Sequence, residues 1–325
     1  MALPNILQGK LSMPVISAPM FLTSGPQLVI NTCRNGVVGA FPALNQRTSA
    51  GFEAWLEEIE TELDHARQQY TNEPIAPFAV NLIVHHTNKR LEADLDICVK
   101  HRVPIVITSL GSNPEVVAKI HGYGGIVFHD VTNIRHARKA QSAGVDGLIL
   151  VCAGGGGHAS AISPFALLAA IRREFDGTII LAGAISSGAD IAAARMMGAD
   201  LTYLGTRFLA TKESMVSQEY KQMVLNSSAE DIVYTASLSG VPANFLGRSI
   251  EDAGLDLSIM ATPEFDSEKE LAATDRQVWK SIWSAGQGCS GIEDIPSAES
   301  LINRLKNEYE TALESAEAVL AETRC

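Results

Sequence analysis

Along residues 13–206, short runs of β-branched and apolar residues alternate with longer stretches in which apolar positions recur every three or four residues. A short apolar run bounded by turn residues reads as a buried strand and a 3.6-residue period as an amphipathic helix, so the pattern predicts strand–helix units repeated around a parallel sheet. Eight strands are predicted, at Met13–Ala18, Gly36–Ala40, Pro77–Ile83, Pro104–Thr108, Gly125–His129, Gly147–Val151, Thr178–Ala182 and Leu201–Leu204. Helices fall between them at about 25–34, 50–70, 88–101, 113–121, 132–143, 164–175 and 187–197, with Ser112, Thr132, Ser163 and Ser187 as caps. Eight strands favour a closed (β/α)8 TIM barrel over an open doubly wound sheet, whose first loop would carry Gly-x-Gly-x-x-Gly. Strand 1 instead runs into Ala18-Pro-Met-Phe-Leu-Thr-Ser-Gly.

The alternation breaks after Gly205-Thr206-Arg207-Phe208. The expected organisation is a barrel over 1–211, a small inserted, mainly helical second domain over 212–280, and a return segment over 281–325. Helical pieces are expected at Glu219–Asn226, Glu230–Thr235 and Glu268–Trp279. The final segment, Ala298–Ala321, places Leu301, Ile302, Leu305, Tyr309, Leu313, Ala316, Val319 and Leu320 at helical spacing, which predicts a last helix packed on the barrel.

Composition narrows the partners. With 325 residues, 46% hydrophobic and 19% charged, the chain can bury a large core, and its formal net charge of −12 argues against nucleic acid or an anionic membrane as partner. The five cysteines (Cys33, Cys98, Cys152, Cys289, Cys325) are widely spaced with no Cys-x-x-Cys pair, which suggests neither a disulfide framework nor a zinc site and fits a reducing cytoplasm. No export signal or spanning segment is visible, and the sequence leaves a homo-oligomer open.

Candidate chemistry follows from the barrel, because ligands of parallel barrels sit at the carboxyl ends of the strands. The most informative stretch is Leu148-Ile-Leu-Val-Cys-Ala-Gly-Gly-Gly-Gly-His-Ala-Ser160, an apolar strand entering four glycines and a histidine. Glycines there allow a flat or phosphorylated ligand to approach the backbone and leave His158 as the titratable group presented to it. Strand 1 ends in Ala18-Pro19-Met20, strand 3 contains Asn81, strand 4 ends in Thr108-Ser109, strand 5 in His129-Asp130, strand 7 in Ala182-Gly183-Ala184, and strand 8 in Gly205-Thr206. Small residues after strands 7 and 8, each leading into a helix, predict a phosphate seat of backbone N–H groups, while Asn81 offers a donor and an acceptor to a ring-shaped ligand. A metal centre built from His85, His86, His129 and His158 is disfavoured, since strand 1 carries no His-x-His pair. Cys152 reads as a buried, inert thiol.

Together, Pro14-Val-Ile-Ser-Ala-Pro-Met20, Asn81, Ala153-Gly-Gly-Gly-Gly-His-Ala-Ser160, Ala182-Gly-Ala-Ile185, Tyr203-Leu-Gly-Thr-Arg-Phe208 and Trp283-Ser-Ala-Gly-Gln-Gly288 resemble the nitronate monooxygenase family, formerly called 2-nitropropane dioxygenases, over nearly the whole chain. The resemblance implies a flavin-binding barrel with non-covalent FMN, a nitronate or nitroalkane substrate, and O2. It implies that Ala18, Pro19 and Met20 line the flavin, that Asn81 hydrogen-bonds it, and that Gly183, Gly205 and Thr206 hold its phosphate, with His129, Gly156, Gly157, Ala182 and Ala184 beside the cofactor. His158 would face the substrate as its base, with Ser160 as a second donor, and Gln287 and Gly288 would close near the cofactor. Strand 7 ends Gly-Ala where many relatives have Gly-Gly, the glycine run is longer than the usual pair, and the tyrosine- and lysine-bearing tail motif of nitronate oxidisers is not evident. Two other functions remain: an NAD(P)H-dependent flavin reductase acting on quinones or enoyl thioesters, and an FMN-binding sensor or scaffold.

Overall fold

In the computed structural model, which describes residues 3–266 and 280–322, eight parallel strands close into a barrel. They are β1 (Val15–Ser17), β2 (Val38–Pro42), β3 (Ala79–Ile83), β4 (Ile105–Ser109), β5 (Ile126–Val131), β6 (Gly147–Val151), β8 (Thr178–Ala182) and β9 (Leu201–Leu204), and β9 pairs back onto β1. All eight coincide with predicted strands. The short strands β7 (Gly157–His158), β10 (Ile232–Thr235) and β11 (Ala243–Leu246) form a separate antiparallel sheet in the order β10-β11-β7. The helices are α1 (Pro26–Arg34), α2 (Ser49–Gln69), α3 (Leu91–Lys100), α4 (Pro114–His121), α5 (Ile134–Ser142), α6 (Pro164–Arg172), α7 (Gly188–Met196), α8 (Thr206–Leu209), α9 (Gln218–Leu225), α10 (Gly247–Asp252) and α11 (Ala298–Glu322).

The strands are buried on both faces, which is why they read as continuous apolar runs. Ile16, Ala79, Ile107, Phe128, Ile149, Ile180 and Leu201 fill the barrel interior, while Leu82, Val106, Val127, Leu148 and Ile179 face the helices. Ser187 caps α7 through a capping box with Asp190, as expected. Helices α4 and α5 are capped by Asn113 and Asn133, one residue beyond the predicted Ser112 and Thr132, because the asparagine carboxamides reach the first-turn N–H groups.

Two aspartates tie neighbouring strands at their amino ends. Asp146 Oδ2 accepts from Val127 N at 2.7 Å, and Asp200 Oδ2 accepts from Ile179 N at 2.9 Å and from Arg172 at 2.6 Å. Asp200 is almost fully buried, so removing its carboxylate strands both donors. Asp200→Ala is expected to lower unfolding free energy by about 3 kcal/mol in denaturant titration, and an unchanged midpoint would deny the bridge a structural role.

The segment after residue 211 holds strand as well as helix. The stretch Glu230–Thr235, expected to be helical, is a 3-10 turn followed by β10, because Ile232-Val-Tyr-Thr235 pairs with Ala243–Leu246. The expected piece Glu268–Trp279 lies outside the described residues except for its neighbour Lys280, and Cys325 is outside them too. Helix α11 packs on α7 and α1 only through its first turns: Leu301, Ile302 and Leu305 are buried with Leu28 and Ile191, whereas Val319 and Leu320 are exposed. Among the described residues no helix is long and apolar enough to cross a membrane.

Candidate active site

A cavity of about 1150 Å³ opens at the carboxyl ends of the barrel strands. Ala18, Pro19, Met20, Asn81, His129, Gly156, Gly157, His158, Ser160, Ala182, Gly183, Ala184, Gly205, Thr206 and Gly288 all line it. Gln287 does not. Its backbone N–H donates to Gly154 O at 2.9 Å, which makes it a clamp on the glycine turn rather than a wall of the cavity.

The glycine run has a different role from the one its composition suggests. Gly154 O also accepts from Ala184 N at 3.3 Å, and a Cβ on Gly286 would fall against Gly154 O and 2.7 Å from Gly156 N. The glycines therefore let two stretches of backbone approach each other, as well as leaving Gly156 and Gly157 on the cavity wall. Gly157 N donates to Ser284 Oγ at 2.7 Å, and Ser284 Oγ in turn donates to Asn244 O at 2.7 Å. Asn244 Nδ2 donates to Gly155 O at 2.6 Å, and the Tyr220 hydroxyl grips both the carbonyl and the N–H of Ser284. Tyr220 is stacked on Trp283 with ring centroids 4.8 Å apart.

This clamp creates β7. Gly157 and His158 pair antiparallel with Asn244 and Ala243, which fixes the backbone that carries the histidine. The His158 ring lies edge-on to Phe265, with centroids 5.9 Å apart, and burial pulls its pKa from 6.5 down to about 4. It is a neutral imidazole at pH 7, able to accept a proton. Ser160 is buried beside it and its Oγ accepts from Ile162 N at 3.0 Å, so its hydroxyl hydrogen is what it can offer a ligand.

Next to the glycine turn, on the strand paired with β6, the turn after β8 carries Gly183 at φ +127 and Ala184 at φ +55. A Cβ on Gly183 would lie 2.7 Å from Ala153 O, so glycine is required, and Ala184 holds a left-handed conformation that alanine adopts at some cost. Thr206 Oγ1 accepts from Gly286 N at 2.8 Å, joining the end of β9 to the same return segment. Gly205 borders open space: a Cβ there would meet only Ala18 and Met20 at 3.7–3.8 Å.

Asn81 points into the barrel mouth from β3. Its amide nitrogen donates to Ile107 O at 3.1 Å and to Ser109 Oγ at 3.2 Å, leaving its carbonyl oxygen for a ligand. His129 shares a 2.7 Å hydrogen bond with Thr108 Oγ1, and burial, helped by the charges of His136 and Lys139, lowers its pKa to about 4. Alternation along β5 turns it away from the interior direction of Phe128, so it sits on the helix-facing side of the strand.

Asp130 and Tyr203, by the same alternation, share the inward layer; the sequence places Asp130 at the end of strand 5 and Tyr203 in strand 8 but assigns neither a role. One Asp130 carboxyl oxygen and the Tyr203 hydroxyl are closed off from solvent without a hydrogen-bond partner among the described residues. Burial raises Asp130 to about 7, and burial followed by the Asp130 charge raises Tyr203 well above 10. The available signal was positional, one polar residue two places beyond a buried interior residue on each strand. A carboxyl raised from 3.8 to about 7 adds stability that is complete below pH 3.8 and lost as pH rises through 7. Asp130→Asn, which stays neutral, is therefore expected to gain melting temperature relative to the parent as pH rises from about 4 to about 8. Parallel curves would mean that Asp130 ionises freely.

Cys33, Cys98, Cys152 and Cys289 are buried free thiols, and burial pushes Cys152 up to about 12, so it is no nucleophile near neutrality. Among the described residues no group of three His, Cys, Asp or Glu side chains is placed to hold a metal ion.

The profile of the nitronate monooxygenase family matches residues 5–308. The chain belongs to that family. This nitronate monooxygenase family member is 24% identical to a nitronate monooxygenase of Neurospora crassa, with 94% of this chain and 92% of that protein covered. It is 27% identical to a (3aS,4S,5R,7aS)-5-hydroxy-7a-methyl-1-oxo-octahydro-1H-indene-4-carboxyl-CoA dehydrogenase of Rhodococcus jostii, covering 74% of this chain and 65% of that one. A nitronate monooxygenase of Paraburkholderia phytofirmans is 28% identical, with 68% and 65% covered, so the match spans about two thirds of the length of these two relatives. Among solved structures, FabK from Thermotoga maritima aligns with a TM-score of 0.80 at 23% identity over 97% of each chain. The nitroalkane oxidase from Streptomyces ansochromogenes also aligns at 0.80 and 23%, covering 96% of this chain and all of that one. These structures share the TIM-barrel fold of this family member.

Proposed function

We propose that the protein is an FMN-dependent nitronate monooxygenase that oxidises alkyl nitronates, and nitroalkanes after deprotonation, with O2 to carbonyl compounds and nitrite. The observation that carries this reading is His158, held neutral by burial on the wall of the cavity at the carboxyl end of the family barrel. The residues present fit a flavin: Gly205 faces open space beside Met20, and the backbone turns at Gly183-Ala184 and Gly205-Thr206 offer a phosphate seat free of side chains. Bound FMN would supply the electron acceptor and the site of reaction with O2.

In this reading Asn81 orients the ring through its amide oxygen, and Ala18, Pro19 and Met20 line it. Ala182 and Gly288 complete the wall near the phosphate, with His129 behind β5. The imidazole of His158 takes the proton from the carbon bearing the nitro group, and the Ser160 hydroxyl donates to a nitro oxygen. Phe265 packs edge-on against the histidine ring.

A second reading is favoured by the size of the cavity, which exceeds the range of about 300–1,000 Å³ usual for one ligand. Room for a flavin and a large co-substrate suits an NAD(P)H-dependent reductase of quinones or enoyl thioesters. The two are separated by mixing the flavin-loaded protein anaerobically with propyl-2-nitronate, NADH or NADPH and following flavin absorbance. Bleaching by the nitronate alone supports the proposal; bleaching by a nicotinamide alone replaces it with the reductase. Cofactor released by heat is expected to chromatograph as FMN, and recovery of FAD would overturn the assignment.

A further inference from the structure

Four polar side chains reach the barrel mouth from the inward faces of strands, Asn81 on β3, Ser109 on β4, Asp130 on β5 and Tyr203 on β9, and each borders the cavity. Between them the same layer is apolar, with Val151 on β6 and Ala182 on β8. Asn81 and Ser109 are hydrogen-bonded to each other at 3.2 Å. No such bond serves Asp130 or Tyr203: a carboxyl oxygen of the first and the hydroxyl of the second are shut off from solvent with no partner among the described residues.

A buried polar atom left without a partner is costly, and folded proteins leave few of them. Outside the cavity, such atoms belong to side chains that bond through another atom, Arg90, Asp94, His101 and Arg172, or to Ser17 on the helix-facing side of β1. Two on the wall of one cavity mark a place that a ligand completes. Burial lifts the Asp130 carboxyl to about 7, so below that pH it has a proton to donate, and the Tyr203 hydroxyl, raised well above 10 by burial and then by the Asp130 charge, donates throughout. Of the elements around Asp130, α5 presents Arg135, His136 and Lys139 to the cavity, β7 presents His158 and β9 presents Tyr203. Ser109 on β4 and Val151 on β6 do not titrate, and His129, next along β5, is turned to the other face.

We infer that the Asp130 carboxyl and the Tyr203 hydroxyl are a pair of hydrogen-bond donors at the base of the cavity that bind acceptor atoms of the flat ring seated there. The flavin ring of the reading above carries carbonyl oxygens and ring nitrogens as acceptors and a single N–H, for which the free Asn81 oxygen is the counterpart. Only the acid form of Asp130 can donate, so ring binding and ionisation of Asp130 oppose each other. The inference rests on the flavin reading and adds two ring-binding residues to it.

The experiment dilutes the flavin-loaded full chain and follows released FMN by its fluorescence, which gives a dissociation constant at each pH for the parent, D130N and Y203F. Relative to D130N, the parent is expected to lose ~10–30-fold in FMN affinity between about pH 6.5 and about pH 8.5, because a carboxyl that titrates at about 7 in the empty site must regain its proton to bind. The D130N amide donates and cannot ionise, so the ratio cancels titration of the FMN phosphate and of the other groups around the cavity. Y203F should release FMN ~10-fold more readily while keeping the parent's pH slope. Its flavin-free melting temperature should equal or exceed the parent's, since the change removes a buried hydroxyl that has no partner, whereas a merely structural hydroxyl would lower the melting temperature and leave the affinity alone. Parallel pH profiles for the parent and D130N, or unchanged FMN affinity in folded Y203F, overturn the inference and leave the flavin reading in place. A parent protein that retains no FMN at any pH overturns the flavin reading and the inference with it.

Discussion

Replacing His158 with asparagine is expected to slow oxidation of neutral nitroalkanes by ~10²–10⁴-fold, the usual cost of a lost general base. Asparagine keeps hydrogen-bonding capacity and fits a backbone already fixed by the pairing of Gly157 and His158 with Asn244 and Ala243, so fold and flavin content should persist. Preformed nitronates need no deprotonation and should lose much less. Because burial holds the imidazole at about 4, its base form is populated throughout the neutral range, and a limb of the pH–rate profile due to this group should appear only on acidification toward pH 4. Equal, slight effects on both substrates would leave the histidine a structural role. NADH oxidation that survives the substitution unchanged would favour the reductase reading.

Gly205→Asp is expected to abolish retention of the flavin. A Cβ at this position meets Ala18 and Met20 only at ordinary contact distance, so the barrel accepts the side chain without strain and the effect is electrostatic. A carboxylate about 4 Å from a phosphate, at an effective dielectric constant near 20, costs about 4 kcal/mol, or roughly a thousandfold in affinity. Ultrafiltration followed by absorbance measures the loss, with Gly205→Ala as the neutral control that keeps its flavin. If the aspartate variant stays yellow, the phosphate sits elsewhere.

The active-site cavity joins parts of the chain that are distant in sequence. The end of β6, the turn at Gly183-Ala184 and the segment Trp283–Gly288 meet at one carbonyl, Gly154 O. The role of the glycine run is therefore twofold. Some of its glycines border the cavity, and others give room for the return segment that positions the histidine.

The barrel was legible because each strand is buried on two faces and so carries a short apolar run that no surface element would tolerate; all eight runs became strands. The residues at their carboxyl ends were legible for the same reason, since closing the barrel gathers them whatever the loops do. What only the tertiary structure decided depends on partners far along the chain. Strand β7 has two residues and no apolar run, and exists because β11, some eighty residues later, hydrogen-bonds to it. Ile232-Val-Tyr-Thr235 became strand rather than helix through the same neighbour, and Gln287 became a clamp because Gly154 O lay within reach of its N–H.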